Sequence, residues 1–311
     1  MSWGRVLTFD DPFPYQSAFR AADMELFPTA KGEFRAEVTQ VELNQLWMTR
    51  FHEKLPRIQT GVIKRGRKAF GFLTKANQPE LYSCGRPLSP GEIHVNNFEV
   101  AHHKSGGDFS SATISLPTEE LAAASIAIVG REFPDTSSRQ FIRPNPGLME
   151  RLLALHEMVG QMAKTTPDLF AATEVVRALE QQLVYTLVKC LTEGTVSTTT
   201  TGTLRHDLIV ARFEEFLEAN PNTPLYLTEV CAAIGTAERT LRIACEEHVG
   251  MGPIRYLHLR RMHLVRRALL RADSSTTVTR IATDHGFWEL GRFAVAYREL
   301  FGEVPSVTLK R

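Results

Sequence analysis

The hydrophobic rhythm of the chain changes twice, near residue 117 and near residue 193. Between about 30 and 116, apolar and polar positions alternate in short bursts: FRAEV (34–38), VEL (41–43), AFGFL (69–73), EIHVN (92–96) and TISLP (113–117). Alternation sends successive side chains to opposite faces of an extended chain. The bursts are separated by CGRPLSPGE (84–92) and KSGGD (104–108), whose Gly and Pro break any longer element. Short strands spaced by such turns predict a small barrel or sandwich. From 117 the period lengthens to that of a helix. Thr118 is placed to cap EELAAA, and Asn145-Pro146 opens GLMERLLALHEMVGQMA with a cap followed by a first-turn proline. A longer helix is predicted over 168–192, with Leu169, Ala172, Val176, Leu179, Leu183, Leu187 and Cys190 on one stripe. Further apolar residues flank that stripe and predict burial on more than one side, within the domain or against a second copy of the chain.

Residues 192–203, TEGTVSTTTTGT, are polar and lack periodicity, the composition of a linker. We place domains at 1–192 and 205–311, with 193–204 between them. Beyond the linker all segments read as helix, beginning with HDLIVARFEEFLEAN (206–220). Two stretches there repeat. Val230 and Cys231 match Ile281 and Ala282, and Gly235 matches Gly286, all 51 residues apart; Leu241, Cys245, Gly250 and Pro253 match Phe293, Tyr297, Gly302 and Pro305 at 52. One unit occurs twice, with one residue added in the second turn. Each copy is a short helix, a glycine suited to a left-handed turn, and a longer helix, which is the pattern of a helix-turn-helix. Between the copies PIRYLHLRRMHLVRRALLRAD (253–273) predicts one continuous helix, with Ile254, Leu257, Val265, Ala268 and Leu269 facing inward. Its roughly 20 residues would span about 30 Å, close to the ~34 Å of one DNA turn.

Charge sharpens this picture. The formal net charge is +1, yet residues 239–311 hold 13 Lys/Arg against 7 Asp/Glu, leaving 23 against 28 elsewhere. No lysine occurs between Lys189 and Lys310, and guanidinium groups suit bidentate recognition of phosphates and guanine edges. The four cysteines, at 84, 190, 231 and 245, form no CxxC pair and read as buried thiols. The first residues, MSWGRVLTFDD, lack the apolar core of a secretory signal, and LAAASIAIVG (121–130) is too short for a membrane helix, so a soluble cytoplasmic protein is expected.

The run IATDHGF (281–287) with Phe293, Tyr297, Gly302 and Pro305 resembles the C-terminal signature of the AraC/XylS transcriptional regulators, IAxxxGFxxxxxFxxxFxxxxGxxP. The duplication and the connecting helix fit it as well. Cys245 stands where that family usually has phenylalanine, and PSVTLKR lacks the usual Tyr-Arg after the proline. Upstream, LSPGEIHV (88–95) and VAHHKSGGDFSSATISLP (100–117) resemble the cupin-like effector domain of such regulators more weakly. The resemblance implies an α+β multidomain chain: an N-terminal β-rich cupin-like barrel with accessory helices, then an all-α double helix-turn-helix. It further implies double-stranded DNA, a small-molecule effector and RNA polymerase as partners, and a homodimer built through residues 145–192.

With Leu241, Ala244, Cys245 and Val249 inward, the first recognition helix turns Arg239, Thr240, Arg242 and Ile243 outward, with Thr236 as its N-cap. Arg239 and Arg242 are the base readers, unless they pair with Glu238 or Glu246. In the second copy the outward set is Glu289, Leu290, Gly291, Arg292, Ala294, Val295 and Arg298, poor in hydrogen-bond donors, so contact with thymine methyls or a role in positioning and bending is expected there. In the barrel, Trp47, Phe70, Phe72 and Phe98 read as core first and effector pocket second, and Trp47, Phe72 and His94 are the candidate effector contacts. Gly91-x-x-His94 resembles one part of a cupin metal site, but nothing supplies the HxH: His52 is alone and His102-His103 are adjacent. No metal, cofactor or catalytic residue is expected. A metal-dependent cupin enzyme fused to a DNA-binding tail is the alternative; a DNA-alkylation-repair protein would need clustered zinc cysteines.

Overall fold

The computed structural model describes residues 2–96, 101–133, 140–198, 201–220, 223, 225–273 and 275–311. Its N-terminal region holds the strands β1 (Trp3–Phe9), β2 (Ala22–Pro28), β3 (Ala36–Glu42), β4 (Trp47–Glu53), β5 (Arg57–Ile63), β6 (Arg67–Leu73), β7 (Leu81–Ser83), β8 (Arg86–Leu88), β9 (Ile93–Asn96), β10 (Ala101–Ser105), β11 (Phe109–Pro117) and β12 (Gln140–Arg143). They form two antiparallel sheets, one ordered β1-β3-β4-β11-β6-β9-β12 and then β13 (Thr195–Thr198), the other β2-β5-β10-β7-β8. The segments FRAEV and VEL fall on a single strand, β3, rather than on two.

Period-two alternation on the larger sheet separates two interiors. Met48, Phe70, Phe72, Ile93, Val95, Ala112, Ile114 and Leu116 point to one face. That face is covered by α2 (Thr118–Val129), α3 (Pro146–Thr165) and α4 (Thr173–Glu193), which contribute Leu121, Leu152, Val159, Leu183, Leu187 and Val188. The opposite face meets the smaller sheet: Leu73, Phe109 and Phe141 pack with Leu81 and Leu88, and Phe51 and Val38 with Leu26 and Tyr15. This inner space is also polar. Glu53 and Arg57 form a buried pair at 2.6 Å, and the Tyr15 hydroxyl, on the short helix α1 (Pro12–Gln16), donates to Glu53 at 2.5 Å.

Asn145 caps α3 by accepting from the Gly147 amide at 3.0 Å, with Pro146 in the first turn as expected. Thr118 is not a cap; Pro117 takes that position and Thr118 is the first helical residue. The long helix begins later than expected, because Pro167–Ala171 forms a separate 3-10 turn that leaves Leu169 42% exposed and off the core stripe. The α4 register is fixed by Glu180, whose carboxylate accepts from the Gln45 and Leu46 amides at 2.7 and 2.9 Å.

The expected linker is largely structured. Thr195–Thr198 pairs with β12, since a run of β-branched Thr and Val suits an extended edge strand, and α5 (Thr201–Ala219) begins five residues before the expected start. Residues 199 and 200, like Phe98, lie outside the described residues. The chain then continues as α6 (Leu227–Ala233), α7 (Glu238–His248), α8 (Pro253–Leu270), α9 (Val278–Asp284), α10 (Leu290–Phe301) and α11 (Pro305–Thr308). No helix among the described residues is long and apolar enough to cross a membrane.

Candidate nucleic-acid interface

The sequence repeat is a structural repeat. Gly235 and Gly286 end α6 and α9 at φ +65° and +78°, and Gly250 and Gly302 end α7 and α10 at φ +80° and +78°. These are left-handed conformations in which a Cβ would be strained. The prolines matched in sequence, Pro253 and Pro305, both start the next helix. Paired core positions are buried in both copies: Val230 with Ile281, Cys231 with Ala282, Leu241 with Phe293, and Cys245 with Tyr297. The smaller Cys245 is accommodated because Phe213 of α5 and Tyr256 of α8 complete the first core. In the second copy the Tyr297 hydroxyl donates to Thr308 Oγ1 at 2.9 Å, which ties α10 to α11 and gives the PSVTLKR tail its structural role.

On α7, Leu241, Ala244, Cys245 and Val249 are inside, and Arg239, Arg242 and Ile243 are exposed, with Thr240 half-buried. Arg239 makes no hydrogen bond or ion pair among the described residues. Arg242 lies 2.8 Å from Glu238 one turn earlier, so the alternative pairing weighed above is realised for Arg242. Thr236 is not the N-cap. Ala237 occupies that position, and Thr236 turns its amide back to the Cys231 carbonyl at 2.9 Å. On α10, Gly291, Arg292, Val295 and Arg298 are exposed, and Arg292 pairs with Glu289 at 2.7 Å. Leu290 and Ala294 are half-buried, and Leu290 packs against the second core rather than standing free.

The largest surface residue of this motif was not among the expected readers. Trp288 is 70% exposed in the turn just before α10. Its signal in the sequence is the added residue of the second turn, beside the buried Phe287. Ile254 is also misplaced by periodicity: it is 63% exposed, because the first turn of α8 runs beyond the first core.

Four arginines counted toward a basic surface face the β-rich domain instead, and of these only Arg271 stays exposed. Arg260 is buried against the Leu217 carbonyl (3.2 Å) and Glu25 of β2 (3.5 Å); Arg267 also reaches Glu25 (3.8 Å). Arg266 lies between Asp11 and Glu303 at 3.8 and 3.7 Å, and Arg271 sits over the Phe13 ring at 4.3 Å. Helix α8 is therefore a hub joining both motifs to the β-rich domain. Phe27 and Ile58 of that domain enter the first helix-turn-helix core, and His263 meets the Pro28 carbonyl at 3.0 Å, its pKa pushed down to about 4 by burial. Gly85, at φ +78°, lets the β-rich domain approach the end of α7, where a Cβ would lie 3.1 Å from Glu247 Cγ and His248 Nε2. Beneath this joint Glu214 is fully buried near Tyr256 and Arg260, and burial lifts its carboxyl to about 7. An open cleft of about 1410 Å³ lies where the domains meet, walled by Phe9, Phe34 and Leu55 on one side and Arg266, Phe301 and Glu303 on the other.

The candidate effector residues do not converge. Phe72 points to the helix-covered face, against His156. His94 is between the sheets, stacked on Phe141 and 3.1 Å from Ser83 Oγ. Trp47 is at the sheet end, between the Arg20 and Arg67 guanidiniums at 4.7 and 3.7 Å. Among the described residues no group of three His, Cys, Asp or Glu is placed to hold a metal ion.

Residues 230–311 match the model of a helix-turn-helix domain family. The C-terminal region carries a helix-turn-helix domain of that family. The probable thc operon regulatory protein of Rhodococcus erythropolis is 39% identical over 103 residues, 33% of this chain and 31% of that protein. The XylDLEGF operon transcriptional activator 2 of Pseudomonas putida is 35% identical over 99 residues, 32% of this chain and 63% of that protein. The similarity thus spans about a third of the chain. Across both regions, the AraC-like transcriptional activator CuxR covers 90% of this chain and 99% of its own at 16% identity and a TM-score of 0.39. Within this region α7 and α10 are the second helices of the two helix-turn-helix units, and α8 lies between the units.

Proposed function

We propose that this protein is a sequence-specific DNA-binding transcriptional regulator whose DNA affinity or polymerase contact responds to a small molecule. The observation that carries the reading is the duplicated motif. Two helices at matched positions of the repeat, α7 and α10, each present a solvent-facing row, while their other faces are closed by Leu241, Cys245, Phe293 and Tyr297. A helix held that way fits a major groove. In this reading Arg239 and Arg242 read base edges in the first box, with Thr240 and Ile243 beside them and Thr236 near a phosphate. Glu289, Leu290, Gly291, Arg292, Val295 and Arg298 form the second contact zone. Activation is the preferred sign, because the relatives named above include an operon transcriptional activator.

The domain joint supplies a means of regulation. An effector binding the β-rich domain, at Trp47 or His94 or in the cleft shared with α10, alters regulation only if it binds two arrangements of the joint unequally. The unit for sensing and dimerisation is residues 1–192, with Met158 and Tyr185 exposed on α3 and α4 as dimer contacts. The DNA-binding unit is 205–311, acting in the cytoplasm with RNA polymerase as partner. No catalytic step, metal or cofactor enters this reading.

The test is fluorescence anisotropy with fragments that the full chain enriches from sheared genomic DNA. Arg239→Ala should weaken its preferred fragment by about ten-fold or more while leaving binding to unrelated DNA within a few-fold. Equal loss on both kinds of DNA would reduce Arg239 to a phosphate contact, and no binding to any fragment, with or without added metabolites, would refute the function.

A further inference from the structure

The two recognition helices present different chemistry at matched positions. At the offset of 52, Arg239 corresponds to Gly291, Arg242 to Ala294 and Ile243 to Val295. Both long donors of the first helix are thus replaced by the two smallest residues. The exposed aliphatic is retained: Ile243 is 43% exposed and Val295 49%. A branched aliphatic left in solvent at the same place of both copies has no partner in either core. The residue added to the second turn brings Trp288 to the surface at the mouth of α10. A Cβ at Gly291 would meet nothing within 4 Å, so the α10 backbone is bare on that side. Arg292 and Arg298 flank this apolar strip on α10; Arg292 is 86% exposed at its side chain and pairs with Glu289 at 2.7 Å. An apolar strip framed by guanidiniums is complementary to a thymine-bearing groove between two phosphate rows, and less so to an apolar protein face.

We propose that the second motif reads a thymine-rich box by apolar contact, with Val295 and Trp288 against thymine 5-methyl groups and Gly291 and Ala294 letting the α10 backbone close on the base edges. This rests on the DNA-binding reading above and specifies how its second half works. The first box is read through guanidinium hydrogen bonds, the second through methyl groups and shape. Burying one methyl group corresponds to about a four-fold change in affinity.

The experiment uses the full chain and duplexes it selects from a random-sequence pool. Thymines of each selected box are replaced one at a time by deoxyuracil, which removes only the methyl. Wild type should lose about four-fold at one or two thymines of the box that does not depend on Arg239. Val295→Ala and Trp288→Ala should bind thymine and uracil duplexes there within two-fold of each other, and Trp288→Phe should restore part of the difference. Both side chains are solvent-exposed, so unchanged thermal denaturation of these variants verifies the fold. Indifference of wild type to uracil throughout that box overturns the proposal. So does a thymine-to-uracil ratio that survives Val295→Ala and Trp288→Ala together, the result if a protein partner covers Trp288 instead. Loss of selectivity at the Arg239-dependent box, or failure to select any sequence, would instead strike the DNA-binding reading itself.

Discussion

Alanine at Gly235 and alanine at Gly291 add the same methyl group to two places in the repeat, and the structure assigns them opposite signs. At both positions an ideal Cβ meets no atom within 4 Å, so packing does not enter. Gly235 is held at φ +65°, where an L-residue costs about 1–2 kcal/mol. Gly291 is in the first turn of α10 with ordinary helical backbone, where alanine is favoured by up to about 1 kcal/mol and less near the helix end. The two variants should therefore differ by about 1.5–3 kcal/mol. Urea denaturation followed by circular dichroism gives both values, provided the slopes match wild type. The second readout is DNA affinity. Gly291→Ala should bind a selected duplex more weakly despite its greater stability, since its methyl stands where the helix backbone approaches the bases. Equal stability of the two variants would refute the left-handed turn at Gly235. A Gly291→Ala protein of unchanged affinity would show that the start of α10 does not approach the DNA.

Three further outcomes follow from the geometry. Among the described residues Arg239 has no acidic partner and Arg242 has Glu238 at 2.8 Å, so Arg239→Ala should cost specific binding about 1–3 kcal/mol and Arg242→Ala less; Glu238→Ala should raise affinity, all by anisotropy at one salt concentration. Burial holds the Glu214 carboxyl near 7 against an ordinary 4.5. A raised carboxyl favours the protonated folded state, so the stability present below about pH 4.5 is lost as pH rises through 7, by up to about 3 kcal/mol. Glu214→Gln should thus melt higher than wild type at pH 8 and not at pH 5, and no gain at pH 8 would contradict the buried, charge-averse site. Glu25→Gln removes the carboxylate facing buried Arg260 and half-buried Arg267, so it should destabilise the chain by about 1–3 kcal/mol and speed proteolysis between β13 and α6.

How legible this molecule was depended on which periodicities were local. The repeat was readable because glycine and proline positions encode backbone geometry directly: Gly235, Gly250, Gly286 and Gly302 all adopt the positive φ their spacing implied. The recognition helices were readable because a 3.6-residue period separates Leu241 and Cys245 from Arg239 and Arg242. Strands were harder. Period two fixes which residues share a face but not what covers it, so Phe72 reads as core first and effector pocket second, and only the structure shows its face sealed by α3 and α4. Strands β1, β2, β4, β5, β7, β8, β10 and β12 lie outside the segments read as strands; in β1 and β5 Gly4 and Gly61 interrupt the pattern, and a Cβ would strike Phe170 at the first and Met24 at the second. The threonine run read as a linker because its polarity outweighed its β-branching. Arginine usage misled most. Counting charge cannot tell Arg239, which has no ion-pair partner among the described residues, from Arg260 and Arg266, which face Glu25 and Asp11 across a joint made by residues over 200 positions apart.

The account stands on two recognition helices held by one rod, α8, whose 18 residues span about 27 Å. Sequencing the genomic fragments retained by the purified full-length chain tests it most directly. Two short boxes centred about 10 base pairs apart, the first losing its preference in Arg239→Ala and the second in Val295→Ala, are the predicted result. A single box, or enriched fragments whose preference survives both substitutions, would contradict paired readout by α7 and α10.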